Sequence, residues 1–251
     1  MENKIPLISQ SLIKDYVNEW NCKLRVYKEY WQGIKTPSSL SMQYGLLFET
    51  LLIGQSRGGA YNGEDIPKLK SGAMSKPEQD VRKLAVESKQ IMNDMGIKCI
   101  DVQPEWKTDT LIGHPDLVAE YKGKKILIDI KFTQTKEDDN CKWNPYAWGG
   151  DLSTKDYTQA KHYVYMAKEI LNEKLPFYYL IFGKSGWVKF LEIEISKSTL
   201  DAHANLLKHL QEDLVDFVGY PTDNPKLCKS CPHLNTCESA TLLPKIEKIS
   251  I

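Results

Sequence analysis

One stretch, GHPDLVAEYKGKKILIDIKFT at residues 113–133, constrains this chain more than any other. Apolar residues alternate on both sides of Lys122-Gly123, and a two-residue turn there predicts a β-hairpin. That turn sets Asp116 directly across from Asp129, on one face of the sheet. Directly opposed side chains in an antiparallel pair hold their Cβ atoms roughly 4.5–5.5 Å apart, and like charges so placed destabilise it. A divalent cation would compensate. Strand alternation puts Lys131 on the face of Asp129, while Ile126, Ile128 and Ile130 point to the other. Two carboxylates and an ammonium therefore converge. The plainer alternative is a salt-bridge ladder on a half-exposed sheet.

An acid-x-Lys triplet means nothing alone, because others begin at Glu2, Glu87, Glu105 and Glu120. Context separates them. Glu120 falls at the hairpin tip, Glu87 in a helix, Glu2 in the terminal tail, and Glu105 at a strand end without a Pro-Asp partner. Only Asp129-Ile130-Lys131 combines an apolar strand with a carboxylate opposite. Around it, periodicity predicts helices over 11–30, 41–53 and 76–95, then strands over 97–106, 110–121 and 124–132. An irregular stretch, 133–156, precedes a helix over 157–172, strands over 177–183 and 187–195, and a helix over 198–218. No linker divides the chain, so the expectation is one α/β domain over 1–251 with a mixed sheet flanked by helices.

These residues resemble the PD-(D/E)XK nuclease superfamily, with Pro115-Asp116 and Asp129-x-Lys131 in its defining order. Gln159-Ala-Lys-His-Tyr163 is similar to the Q-x-x-x-Y helix of the RecB-like branch, and helical spacing puts Gln159 and Tyr163 on one face. Gly45-Leu-Leu-Phe-Glu49 resembles the first helix, which offers a Glu or His to the metal. The likeness implies a restriction-endonuclease-like fold with Mg²⁺ or Mn²⁺ on Glu49, Asp116, Asp129 and the Ile130 carbonyl. It implies that Lys131 positions the attacking water, that Gln159 braces the centre and that Tyr163 approaches the DNA. The chain departs from many RecB-like members in having Glu49 for His and Asp129 for Glu, a choice shared at Glu49 with phage lambda-type exonucleases.

Six cysteines in a long chain without a secretion signal at MENKIPLISQ favour ligation over disulfides and lead to a cytoplasmic expectation. Cys228, Cys231 and Cys237 form C-x2-C-x5-C, which lets three thiolates reach one centre. The resemblance supplies the fourth, Cys22, because iron–sulfur nucleases of AddB and CRISPR-associated type take one cysteine from ahead of the core and three from behind. It implies a structural [4Fe-4S] cluster joining elements around 22 and 228–237. Zn²⁺ is the alternative, with His233 able to replace a ligand. Cys99 reads as a buried thiol and Cys141 as a loop thiol.

The 33 basic and 33 acidic side chains cancel, so DNA affinity must come from a local groove. Trp143, Tyr146 and Trp148 could stack bases or cap the sheet, and Arg57-Gly58-Gly59 could meet phosphate. Only three arginines are present, which argues against guanine readout and sequence specificity. The longest clean apolar run, 175–182, is far short of the roughly 20 residues that span a bilayer. Without a Walker loop, unwinding would need a helicase or a recombination or adaptation partner. The resulting expectation is a sequence-nonspecific exonuclease acting on single strands or DNA ends in recombination, repair or CRISPR adaptation. The competing class is an end-binding or assembly subunit with a vestigial centre.

Overall fold

Serine opens several of the helices by accepting a hydrogen bond from a first-turn amide. Ser9 caps α1 (Gln10–Val17), Ser39 caps α3 (Leu40–Ile53) and Ser75 caps α4 (Lys76–Asp94). Gly54, in the left-handed conformation at φ +93°, ends α3. The computed structural model describes residues 5–19, 21–56, 59–134, 148, 152, 155–222, 225–229, 231, 233–234 and 237. Cys141, Trp143, Tyr146, Arg57 and Gly58 lie outside them.

The chain divides into two compact units, Ser38–Leu206 and Met1–Pro37 with Leu207–Ile251. The first is α/β. Its strands are β1 (Lys98–Val102), β2 (Trp106–Lys107), β3 (Ile112–Gly113), β4 (Leu117–Tyr121), β5 (Lys124–Thr133), β6 (Phe177–Gly183) and β7 (Val188–Ile193). The main sheet runs β1-β4-β5-β6-β7 and is mixed, since β5 and β6 are parallel and the other neighbours antiparallel. The parallel pair needs a crossover, which α5 (Thr158–Leu171) supplies. The small β2-β3 pair interrupts what periodicity reads as two long strands.

Lys122 and Gly123 both adopt positive φ, +51° and +73°, as a hairpin turn matched to the twist of its strands requires. The register follows: Leu117 pairs Ile128, and Ala119 pairs Ile126. Ile126, Ile128 and Ile130 join Leu47, Phe48 and Leu52 of α3 and Leu84 of α4 in the core on one face. Each such side chain contributes about 1.5–3 kcal/mol on burial. The opposite face of β5 therefore looks toward α5.

In the second unit, the helix expected over 11–30 is two helices, α1 and α2 (Lys23–Tyr30). The side-chain amide of Asn21 donates to the Asp15 carbonyl and carboxylate, and its backbone N–H to the Asn18 carbonyl. Such local bonds compete with the helical ladder. Cys22 consequently stands at the N-cap of α2. Tyr27, Trp31 and Phe217 cluster, with ring centroids 4.8–6.4 Å apart, and the Leu24 amide bonds the Tyr220 carbonyl. The helix α6 (Lys197–Asp213) stops short of the expected 218, and a short α7 (Pro225–Lys229) was not foreseen. Among the described residues no helix is long and apolar enough to cross a membrane.

Candidate metal centre

The hairpin register carries Asp116 to the position beside Asp129, with β4 starting one residue later. Both carboxyls are buried, Asp116 at 6% and Asp129 at 0% exposure. Asp116 Oδ2 accepts the Ile130 amide at 2.7 Å, a cross-strand bond that fixes its carboxyl against the β5 backbone. Asp129 Oδ2 faces Lys131 Nζ at 2.5 Å without an aligned hydrogen bond, while its Oδ1 accepts from the Gln159 amide. Gln159 Oε1 in turn accepts from Lys131 Nζ at 3.0 Å. One glutamine thus clasps both charged partners. Its place in the first turn of α5 puts it beside β5, and just ahead of the helix Asp156 accepts the Thr158 amide at 2.8 Å.

Burial pushes the Asp116 carboxyl well above its usual range, and the negative charges of Asp129 and Glu49 push it further than Lys131 and the Ile130 amide pull it back. Burial alone would lower Lys131, but Asp129 and then Asp116 outweigh it and keep the ammonium above its ordinary value. Three carboxylates share this neighbourhood with one ammonium. Hard oxygen donors with net negative charge suit a hard divalent cation such as Mg²⁺ or Mn²⁺, with Lys131 paired to Asp129 Oδ2 in this structure. As they stand, no three His, Cys, Asp or Glu side chains among the described residues form a ready metal-holding group.

The structure adds two residues to those legible from spacing. Gln103, half-buried after β1, donates from its side-chain amide to Glu49 and from its backbone amide to the Asp116 carbonyl at 2.9 Å. Tyr179 pairs with Asp129 across β5 and β6, and Lys131 Nζ sits 5.7 Å from its ring centroid. Burial and then Asp129 hold the Tyr179 phenol well above its ordinary pKa, so it stays protonated. Nothing in the apolar run 177–182 marks Tyr179 as other than core. Trp148 leans on it at 5.0 Å, with Lys155 4.3 Å from the Trp148 ring.

Tyr163 lies on the Gln159 side of α5 but is 1% exposed, with its ring 3.3 Å from where a Gly113 side chain would begin and 6.5 Å from Phe177. Burial leaves it no surface to present to a strand. His162 and His203 are packing residues, with ring centroids 5.7 Å apart. Cys99, expected to be buried, is exposed on the edge strand β1.

In the other unit, Cys22, Cys228, Cys231 and Cys237 are all half-buried free thiols. Burial, then the neighbouring Cys22, Cys231 and Cys237, push the Cys228 thiol up, so these three lie within electrostatic reach of Cys228. Tight turns wind them together: the Cys231 amide bonds the Cys228 carbonyl at 3.1 Å, and the Cys237 amide bonds Leu234. His233 instead faces Glu29 at 3.5 Å. A cysteine-ligated cluster is not seen among the described residues.

No protein-family model matches this chain, and no curated protein does. Among solved structures, a Eubacterium rectale protein described as a "Putative exonuclease" matches with a TM-score of 0.64 at 12% identity, over 98% of this chain and 91% of that one. The two share a fold. A second, SSO0001, matches at a TM-score of 0.40 and 16% identity, over 95% of this chain and 87% of that one, too weak to carry an argument.

Proposed function

We propose that this chain is a metal-dependent DNA nuclease of the PD-(D/E)XK type, an exonuclease of low sequence preference. The observation that carries the reading is the buried Asp116–Asp129 pair, with Lys131 and Gln159 locked to it. Shared fold with a protein described as an exonuclease supports it. Glu49, Asp116, Asp129 and the Ile130 carbonyl would hold Mg²⁺ or Mn²⁺. Bound there, the ion would polarise a phosphate and make hydroxide accessible near neutral pH.

The chain's own groups do the rest. Lys131, kept charged by Asp129 and Asp116 and aimed by Gln159, offsets negative charge that builds on the phosphate during attack. Gln159 holds that ammonium without adding charge. Tyr163 acts from beneath, anchoring α5 so that Gln159 stays in register with β5. Trp148, beside Tyr179 and Lys155, offers an aromatic and cationic flank suited to single strands or frayed ends. Duplex unwinding would fall to a helicase or a recombination or adaptation partner. The four cysteines would hold a structural [4Fe-4S] cluster, with tetrahedral Zn²⁺ as the rival occupant.

The test is cleavage of end-labelled single- and double-stranded DNA with Mn²⁺, with and without chelator, by the wild type and Lys131→Ala. Expected are terminal products that vanish with chelator, and a loss of at least roughly 10²–10³-fold in Lys131→Ala with folding and DNA binding intact. Undiminished turnover by Lys131→Ala contradicts the assignment. Wild-type binding without cleavage points instead to an end-binding subunit.

A further inference from the structure

Gln103 sits where two irregularities meet. It has φ +48°, a left-handed conformation that glutamine seldom adopts. Immediately before it, β1 carries a bulge: Cys99 pairs Ala119 but Asp101 pairs Val118, leaving Ile100 as the extra residue. Bulges re-aim side chains and recur beside active sites. The inserted residue brings Val102 opposite Leu117, and the ladder then continues through the Gln103 amide to the Asp116 carbonyl.

Val102 packs with the core beside α3, so regular alternation would turn the next side chain to the opposite face. The left-handed backbone breaks that alternation. The Gln103 amide reaches Glu49 on α3, while a second tie, from the Gln55 amide to the Val102 carbonyl at 2.8 Å, holds the end of the same helix. We infer that Gln103 is a positioning residue that fixes the Glu49 carboxylate relative to Asp116 for cation binding. The inference rests on the metal-dependent reading proposed above.

The choice of glutamine has a physical reason. A lysine or arginine there would neutralise Glu49, whereas an amide orients one carboxylate oxygen and leaves the charge for a cation. Each of the three carboxylates is served by such a neutral donor: Gln103 for Glu49, the Ile130 amide for Asp116 and Gln159 for Asp129. Outer partners of this kind typically change metal affinity by about 10–100-fold when removed.

Gln103→Asn separates backbone from side chain. Asparagine tolerates positive φ better than glutamine, so the fold should be as stable or more so, but its amide is one methylene too short to reach Glu49. Mn²⁺ affinity is read by electron paramagnetic resonance on the full chain, alongside the melting temperature in chelator. Expected is about tenfold or greater weakening of Mn²⁺ binding in Gln103→Asn at an undiminished melting temperature, and no further weakening when Gln103→Asn is added to Glu49→Ala. Wild-type Mn²⁺ affinity in Gln103→Asn overturns the role of Gln103 and leaves the nuclease reading standing. Should Gln103→Asn destabilise the chain, Gln103→Gly, free at this φ, takes its place under the same criteria. A wild type that binds no Mn²⁺ overturns both.

Discussion

Replacing Asp116 with asparagine should make the metal-free protein more stable while destroying its response to cations. Asp116 is buried with its pKa raised, so the fold favours the protonated form. Its contribution to stability is therefore fully present at low pH and is lost as pH rises through the folded-state value. At neutral pH the carboxyl is a burden, since it must either ionise in a buried, negatively charged site or hold a proton that it would release in water. Opposed carboxylates about 5 Å apart repel by about 3 kcal/mol at an effective dielectric near 20, and Lys131 offsets part of this. Asparagine keeps an oxygen for the Ile130 amide and removes the charge. The expected gain in chelator is about 1–3 kcal/mol, or roughly 2–12 °C at 2–4 °C per kcal/mol for a unit of this size. Mn²⁺ at about 100 times its dissociation constant should stabilise the wild type by about 2.7 kcal/mol and Asp116→Asn by much less. Urea and thermal denaturation at neutral pH, with chelator and with Mn²⁺, measure both. A less stable Asp116→Asn in chelator would mean that ion pairing already satisfies this carboxylate, and the reasoning from crowded charge would fail.

Further outcomes follow from the same structure. Burial holds His162 at about 4 and His203 at about 3, below the ordinary 6.5, so their contribution to stability is full above about pH 6.5 and is lost as pH falls toward 4. Unfolding free energies from urea titration should drop between pH 7 and 5 by up to about 2 kcal/mol per imidazole, and His203→Phe should flatten the slope; equal slopes would contradict the assignment. Gly183→Ala would place a Cβ 2.0 Å from the Trp187 ring, displacing it at about 1–3 kcal/mol by urea denaturation. Anaerobic purification should give a brown protein with broad visible absorption that Cys228→Ser loses, whereas a colourless wild type with one bound zinc would reject iron–sulfur.

The hairpin was legible because its determinants are local: a Lys-Gly turn that tolerates two positive φ angles and strict alternation on either side. Register then places Asp116, Asp129 and Lys131 without reference to the rest of the chain. Gln159 came from the resemblance to the Q-x-x-x-Y helix, and its side chain bonds both Asp129 and Lys131. Tyr163 shared that helix face, yet its burial depends on Gly113 and Phe177, which arrive from distant segments. Gln103 was hidden for a similar reason, since no local pattern marks a bulge whose cause is pairing with β4 and whose target lies on α3. The break between α1 and α2 escaped because apolar spacing continues across it, while Asn21 acts through side-chain bonds that periodicity does not weigh.

Anomalous diffraction from crystals grown with Mn²⁺ tests the central claim most directly. A single strong peak bonded to Asp116, Asp129 and the Ile130 carbonyl is the predicted result. Full Mn²⁺ loading with the ion elsewhere and Lys131 still closed on Asp129 would contradict it.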